Sequence, residues 1–446
     1  MKLYSVEAGM DRETAPPLDD TSLPRSGLLR ALKQTTFRSL RHRNYRRYFF
    51  GQIVSFTGTW MQSAALMWLI YDQTHDVRWP SYLLVAQVGP TVLLGAWGGS
   101  LADRSPKRRL ILRTQMIFLA NAILLALLVG NGFVLPLMIL GFQAVNGVVQ
   151  AVDLPARLAF LPDLVPKEDL INAVGLNSLL FNSARAIGPA ITGLLFLAAG
   201  ELAPILGCEN PVILGTVWCT TLNAFSFLAV LLALRGIHVP GDAPRDPQHE
   251  SASSTDGIRY LMKHRTLGGL VLATLILCVF AWPTLTLFPA YTRQHLGRAE
   301  ETYSFLVSAL GAGALVAAFT TATFGSIARR AGFLVLGASA TSLGLLGLAV
   351  ATGLPAALSG AAAVGFGLIL FLSTGQSTLQ LGVPDGIRGR VMALWAITLS
   401  ASAPIGHLLA GQAAEAVGLK VVLEVMATGS ALVAIGLMLL VFRRRK

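Results

Sequence analysis

The sequence predicts an all-α integral membrane protein whose twelve transmembrane helices form two six-helix bundles. Three observations carry that reading: an apolar composition, twelve apolar runs of spanning length, and Lys and Arg gathered almost wholly on one side. Of 446 residues, 54% are hydrophobic and 13% charged, with a mean hydropathy of +0.62. That is too apolar for a soluble chain of this size, so lipid is the implied solvent. A hydrocarbon core roughly 30 Å thick takes about 20 apolar residues per helix, and lipid cannot satisfy open backbone groups, so the runs span as helices.

In chain order, residues 1–47 form a polar, Pro-containing and increasingly basic arm with no short apolar signal core. Apolar runs between charged or turn-rich breaks follow at 48–71, 80–102, 109–130, 133–153, 170–200 and 212–234, making an N-terminal bundle over 48–234. Residues 235–265, with Pro240, Pro244, Pro247 and a Ser-rich run at 251–255, read as a linker. Runs at 266–289, 302–324, 333–352, 354–380, 391–414 and 419–441 make a C-terminal bundle over 266–441, closed by a basic tail at 442–446.

The loops test this order. The arm holds ten Lys and Arg, the second loop five, the linker five and the tail four; with Arg157, Lys167, Arg329, Arg330, Arg388 and Arg390, thirty of the 35 fall on one side. The other side receives Arg78, Arg293, Arg298 and Lys420, and Arg185 sits within a span. Cytoplasmic loops retain positive charge, so the sequence predicts an inner (plasma) membrane protein with both termini cytoplasmic. The net charge of +12 is then a topology signal rather than a nucleic-acid surface, with anionic lipid the implied partner. In the arm, Leu28, Leu29, Leu32, Phe37 and Leu40 interleave with Arg30, Lys33, Arg38, Arg41 and Arg43, the pattern either of a helix lying on the inner leaflet or of a solvated arm.

Two halves are also written into an internal repeat. Val165-Pro166 recurs as Val383-Pro384, Leu176 as Leu394, Gly188 as Gly406 and Gly193 as Gly411, all at an offset of 218. Chemistry of other kinds finds no foothold. Cys208, Cys219 and Cys278 show no paired spacing, and there is no glycine-rich phosphate loop, no pair of catalytic carboxylates and no metal-ligand cluster. The sequence therefore predicts no enzyme, no cofactor and no metal.

Between the second and third runs stands Gly99-Ser-Leu-Ala-Asp103-Arg104-Ser-Pro-Lys107-Arg108-Arg109. A short loop here sets a carboxylate beside fixed cations at the membrane surface, where rearranged ion pairs can latch one conformation. Gly99 would permit close helix approach, and a positive-inside loop alone accounts for the cations but not for Gly99 and Asp103 in this register. The segment resembles the loop motif of the major facilitator superfamily, with Ser105 and Pro106 in place of the usual aromatic and glycine. The resemblance implies the two-bundle fold, alternating access, and a latch in which Asp103 pairs with the start of the eleventh span and Lys107 with Asp153.

The fifth run carries Gly175, Gly188-Pro189 and Gly193, which resembles the antiporter signature of exporters in the same superfamily; Ala184 and Thr192 stand where that signature has glycine. After the fourth run comes Asp153-Leu-Pro-Ala-Arg157, then Leu161-Pro-Asp163-Leu-Val-Pro166. Together with Val383-Pro384-Asp385 and Arg388-Gly-Arg390, this wording is similar to the enterobactin-exporter-like branch, also described as transmembrane secretion effectors. The branch implies proton-driven export of a small amphiphilic molecule, a siderophore or a drug-like compound, by a monomer. Uptake by the same fold, a non-transporting membrane sensor or assembly protein, and an integral membrane enzyme are the rival readings.

Arg185 and His407 are the ionisable residues inside spans, which makes each a functional candidate. Arg185 either faces the cavity and attracts an anion such as a catecholate or anchors a helix interface. His407 either relays a proton or bonds to a neighbouring helix. Gln62, Gln143, Asn182, Gln376 and Trp395 are further cavity candidates, and no Asp or Glu falls in the middle of a span.

Overall fold

A computed structural model describes residues 37–237, 254–324 and 330–443. Among them are twelve helices long and apolar enough to cross a membrane. The first six are α1 Arg43–Thr74, α2 Arg78–Arg104, α3 Lys107–Gly130, α4 Pro136–Phe160, α5 Leu170–Leu202 and α6 Pro211–Arg235. The second six are α7 Arg265–His295, α8 Glu300–Phe324, α9 Arg330–Val350, α10 Leu354–Gly382, α11 Asp385–Val417 and α12 Leu419–Arg443. A short helix, Ser254–Lys263, precedes α7. The arm up to residue 36, linker residues 238–253, Arg329 and the tail 444–446 lie outside the described residues.

At three of the boundaries that differ from the hydropathy reading, packing or pairing outweighs the local composition. The first helix begins at Arg43 rather than 48: Tyr45 and Tyr48 are buried, and the Tyr45 hydroxyl donates to the Ala173 carbonyl at 2.9 Å. The seventh runs past 289 to His295, interrupted near Pro283 and closed by a π-helical turn, Tyr291–His295. The fourth runs through Arg157, counted above as a loop cation. Arg157 is only 9% exposed and donates to Asp153 one turn earlier, which compensates its charge inside the helix bundle.

Two bundles of six follow from which helices meet. In the first, α2 packs along α4; in the second, α8 packs along α10, the equivalent pair under the internal repeat. Both contacts bring backbone against backbone. A Cβ on Gly98 would lie 2.1 Å from the Ala151 carbonyl oxygen, and one on Gly313 would lie 1.9 Å from that of Ala362. Lipid tails are as apolar as leucine, so close packing of small residues has to supply what water expulsion supplies in soluble cores. Between the bundles α5 packs on α8 and α2 on α11, again a pair that the repeat exchanges. Large apolar side chains such as Leu93, Leu137, Phe225, Phe319 and Leu432 face outward, the surface a hydrocarbon phase accepts.

Gly98→Val should force α2 from α4 against a rigid carbonyl, an overpacking cost of about 1–3 kcal/mol. A lowered midpoint of thermal unfolding in detergent is the expected result; an unchanged one would contradict the contact.

Candidate functional site

Between the bundles lies a cavity of about 500 Å³. Helices α1, α2, α4 and α5 line it from the first bundle and α7, α8 and α11 from the second, with Phe118 of α3 and Asn223 and Phe227 of α6 completing the lining. Its walls are mainly aromatic and aliphatic, with polar groups at separate points, the usual constitution of a small-molecule site.

Arg185 projects from α5 into this space, 7% exposed. Its guanidinium carbon lies 5.6 Å from the Trp60 ring on α1 and 5.5 Å from the Trp282 ring on α7, so one ring from each bundle attracts it. The local sequence aids this placement. Pro189 lacks the N–H that would bond to the Arg185 carbonyl, and Gly311 of α8 packs against that carbonyl, where an added Cβ would sit 2.8 Å away. Gly188 approaches α1 closely, since a Cβ there would lie 2.7 Å from Trp60 Cβ, and Gly193 abuts Ser304 and Phe305 of α8. Gly175 has open space around it.

A second polar cluster sits where α1, α3 and α4 meet. Asp153 Oδ1 accepts from Thr114 Oγ1 at 2.5 Å and from Gln115 Nε2 at 3.2 Å, while Oδ2 accepts from Arg157, which also donates to Gln52. The Arg157 guanidinium lies 5.3 Å from the Phe56 ring. Gln143 accepts from Asn146 at 2.8 Å, and Gln62 accepts from Asn223 at 2.8 Å, leaving both carboxamide NH2 groups without a protein acceptor among the described residues. On α11, His407 Nδ1 lies 3.1 Å from Thr286 Oγ1.

Of the cavity candidates, Arg185, Gln143, Gln62 and His407 line the space and three do not. Asn182 donates along its own helix to the Ser178 carbonyl at 2.9 Å, and Gln376 is exposed on α10. Trp395 is 2% exposed in the core of the second bundle, its ring edge filling the space beside Gly375. A carboxamide or an indole reads alike on either face of a helix, and rotation about the helix axis decides which face meets the cavity. Sequence reasoning missed the Asp153–Arg157–Gln52 cluster, although an acid and a base four residues apart on one helix are a recognisable pair. It also passed over Gln87, Gln150 and Tyr303 of the lining.

The latch residues occupy the end of the molecule that carries the basic loops. Asp103 is exposed, with no hydrogen bond or ion pair among the described residues, and Arg104 is exposed beside it. Lys107 does not reach Asp153, whose oxygens are already taken; it pairs with Asp163 at 3.1 Å, in the turn after α4. Arg108 donates to the Leu234 and Arg235 carbonyls at 3.0 and 3.3 Å, a cation satisfying the open C-terminus of α6. Gly99 has nothing near its absent Cβ, so the close approach expected of it belongs to its neighbour Gly98.

At the opposite end the bundles are tied together. Arg293 of α7 donates to Asp72 of α1 at 2.5 Å, Gln294 to the Tyr71 hydroxyl at 3.2 Å and Gln412 of α11 to the Tyr82 hydroxyl at 2.7 Å. Trp68 stacks on Tyr303 with centroids 5.6 Å apart, and Gly411 packs on Ser81. In the loop joining α1 and α2, hydrogen bonds from the Arg78 guanidinium at 2.6 to 3.0 Å hold the Asp76 carboxyl below the usual carboxylate range.

Residues 34–446 match the family model described as transmembrane secretion effector. The chain is 28% identical over 411 residues to the enterobactin exporter EntS of Shigella boydii, covering 90% of this chain and 91% of that one. It is 27% identical over 277 residues to the staphyloferrin A transporter of Staphylococcus aureus, covering 61% of this chain and 65% of that one. Among solved structures, a variant of the nucleoside transporter NupG superposes with a TM-score of 0.71 at 12% identity, over 88% of this chain and 99% of that chain. A bacterial homologue of the lysosomal transporter Spinster does so with a TM-score of 0.64 at 14% identity, over 89% and 96%.

Proposed function

This chain belongs to the transmembrane secretion effector family of the major facilitator superfamily, and from that premise we propose that it exports a small anionic amphiphile of the siderophore class by alternating access. The single observation behind the cargo class is Arg185, a cation held between Trp60 and Trp282 in a largely apolar cavity. Such a site attracts a negative group and offers aromatic faces to a planar one, the two properties of a catecholate. The relatives named as an enterobactin exporter and a staphyloferrin A transporter support the same class.

Orientation comes from the basic loops. Anionic lipid and the positive-inside bias set the end bearing Arg104, Lys107 and Arg109 in the cytoplasm, with both termini. The ties between α1, α2, α7 and α11 then close the outer end, and cargo enters from the cytoplasm. When the outer end opens, Asp103 swings against the start of α11 and latches the inner end shut. A driving ion or potential must turn this cycle, and the cavity groups able to take up a proton are, among the described residues, Asp153 and His407.

Asp103→Ala should reduce export roughly tenfold while leaving the protein inserted, the scale of a conformational coupling of 1–3 kcal/mol. Flux in cells at matched membrane abundance checks it, and unchanged flux refutes the latch. The function itself is tested by comparing secreted and retained metabolites in iron-limited cells with and without the gene. Loss of one secreted compound on deletion is the expected result; an external nutrient that stops entering would make the protein an importer.

A further inference from the structure

The cavity carries few charges, and their signs constrain how transport is driven. Arg157 and Arg185 are its cations and Asp153 its one carboxylate among the described residues, with His407 and Tyr303 as further titratable groups. Asp153 is closed off by Arg157, Thr114 and Gln115, with Tyr48 of α1 beside the pair. His407 meets the Thr286 hydroxyl, a contact that a neutral ring satisfies.

Exchange of cargo for a proton requires that each expel the other from the empty site. An anionic cargo cannot meet that condition here. A proton added to Asp153 releases Arg157 and makes the cavity more positive, and a proton added to His407 does the same, so each strengthens the hold on an anion. Proton and anion would then travel together, outward, against the inward proton gradient.

Resting on the reading of the cargo as an anion held at Arg185, we infer that export is driven by the membrane potential acting on the cargo's own charge, with no proton exchanged. The interior of a bacterial cell is negative, so leaving it is downhill for an anion. One charge crossing ~100 mV is worth about 2.3 kcal/mol, an accumulation ratio near 50. The cavity charges fit the cycle. With two cations against one carboxylate, the empty site is positive and a monoanion neutralises it. The loaded crossing therefore moves little charge, and the potential instead draws the empty, positive site back toward the cytoplasm.

The test uses the purified full chain in liposomes, with radiolabelled 2,3-dihydroxybenzoate as the probe and protein-free vesicles as the baseline. In one arm a potassium diffusion potential, interior positive, is set by valinomycin with pH equal on both sides. In the other a pH difference is set with the potential clamped at zero. Protein-dependent accumulation in the first arm alone, approaching 50-fold at ~100 mV for a monoanion, is the expected result. Accumulation that follows the pH difference with the potential clamped, accompanied by counterflow of protons, would overturn the inference and leave the exporter standing. No protein-dependent movement in either arm, nor in probe-for-probe exchange, would instead overturn the cargo reading on which the inference rests.

Discussion

Arg185→Gln is expected to weaken binding of an anionic catechol by about 30-fold without lowering the thermal stability of the protein. A hydrogen bond between a buried guanidinium and an anion is worth ~2 kcal/mol, and each 1.4 kcal/mol is a factor of ten in affinity. The same change removes a buried charge that has no carboxylate partner among the described residues, so the desolvation cost it lifts offsets the two ring contacts it loses. Arg185→Lys should fall between, since an ammonium keeps the charge but not the flat guanidinium that fits between two rings. Equilibrium binding in nanodiscs together with a thermal melt checks both halves. Equal losses of affinity and stability would mark Arg185 as an interface anchor, the other reading that its place within a span allows.

Asp153→Ala carries the second large effect, and in the opposite property. It strands Arg157 in the bundle with Gln52 and the Phe56 ring, neither of them charged, and breaking a buried ion pair by removing one member costs ~3–5 kcal/mol. The midpoint of unfolding in mixed micelles should drop steeply. The double variant Asp153→Ala with Arg157→Met should recover most of the loss, because no uncompensated charge remains. A single variant as stable as the parent would mean that water or lipid reaches Arg157. The pair of measurements separates two cations that lie in one cavity: Arg157 is compensated and structural, whereas Arg185 is uncompensated and available to cargo.

Much of the architecture was legible before any helix was packed. The spans near 80–102, 109–130 and 212–234 correspond to α2, α3 and α6 to within a few residues, because a spanning helix is a local property: twenty apolar residues declare themselves whatever their neighbours are. The repeat at an offset of 218 foretold that α5 and α11 are counterparts, and these are the helices that cross to the other bundle. Failures came where a local rule met a tertiary partner. Arg157 was read as a loop cation because charge ends a hydropathy run, yet Asp153 one turn away compensates it. Lys107 was assigned to Asp153 and pairs with Asp163, because Thr114, Gln115 and Arg157 already occupy the first carboxylate. Gly99 was given the close helix contact that Gly98 makes, a rotation of one residue, or 100° about the helix axis.

The sequence by itself determined the solvent, the number of spanning helices, their order, the basic side and the two-fold repeat. Each is a sum over neighbours along the chain, and lipid enforces it residue by residue. Only the tertiary structure decided which polar groups share the cavity. Gln376 and Trp395 are as plausible in the chain as Gln143 and Gln62, but helix rotation turns the first two away and the second two inward. Arg185 acquires its character from Trp60 and Trp282, which come from other helices and from both bundles. A cavity is made where faces from distant parts of the chain fail to close on each other, and that property belongs to no segment alone.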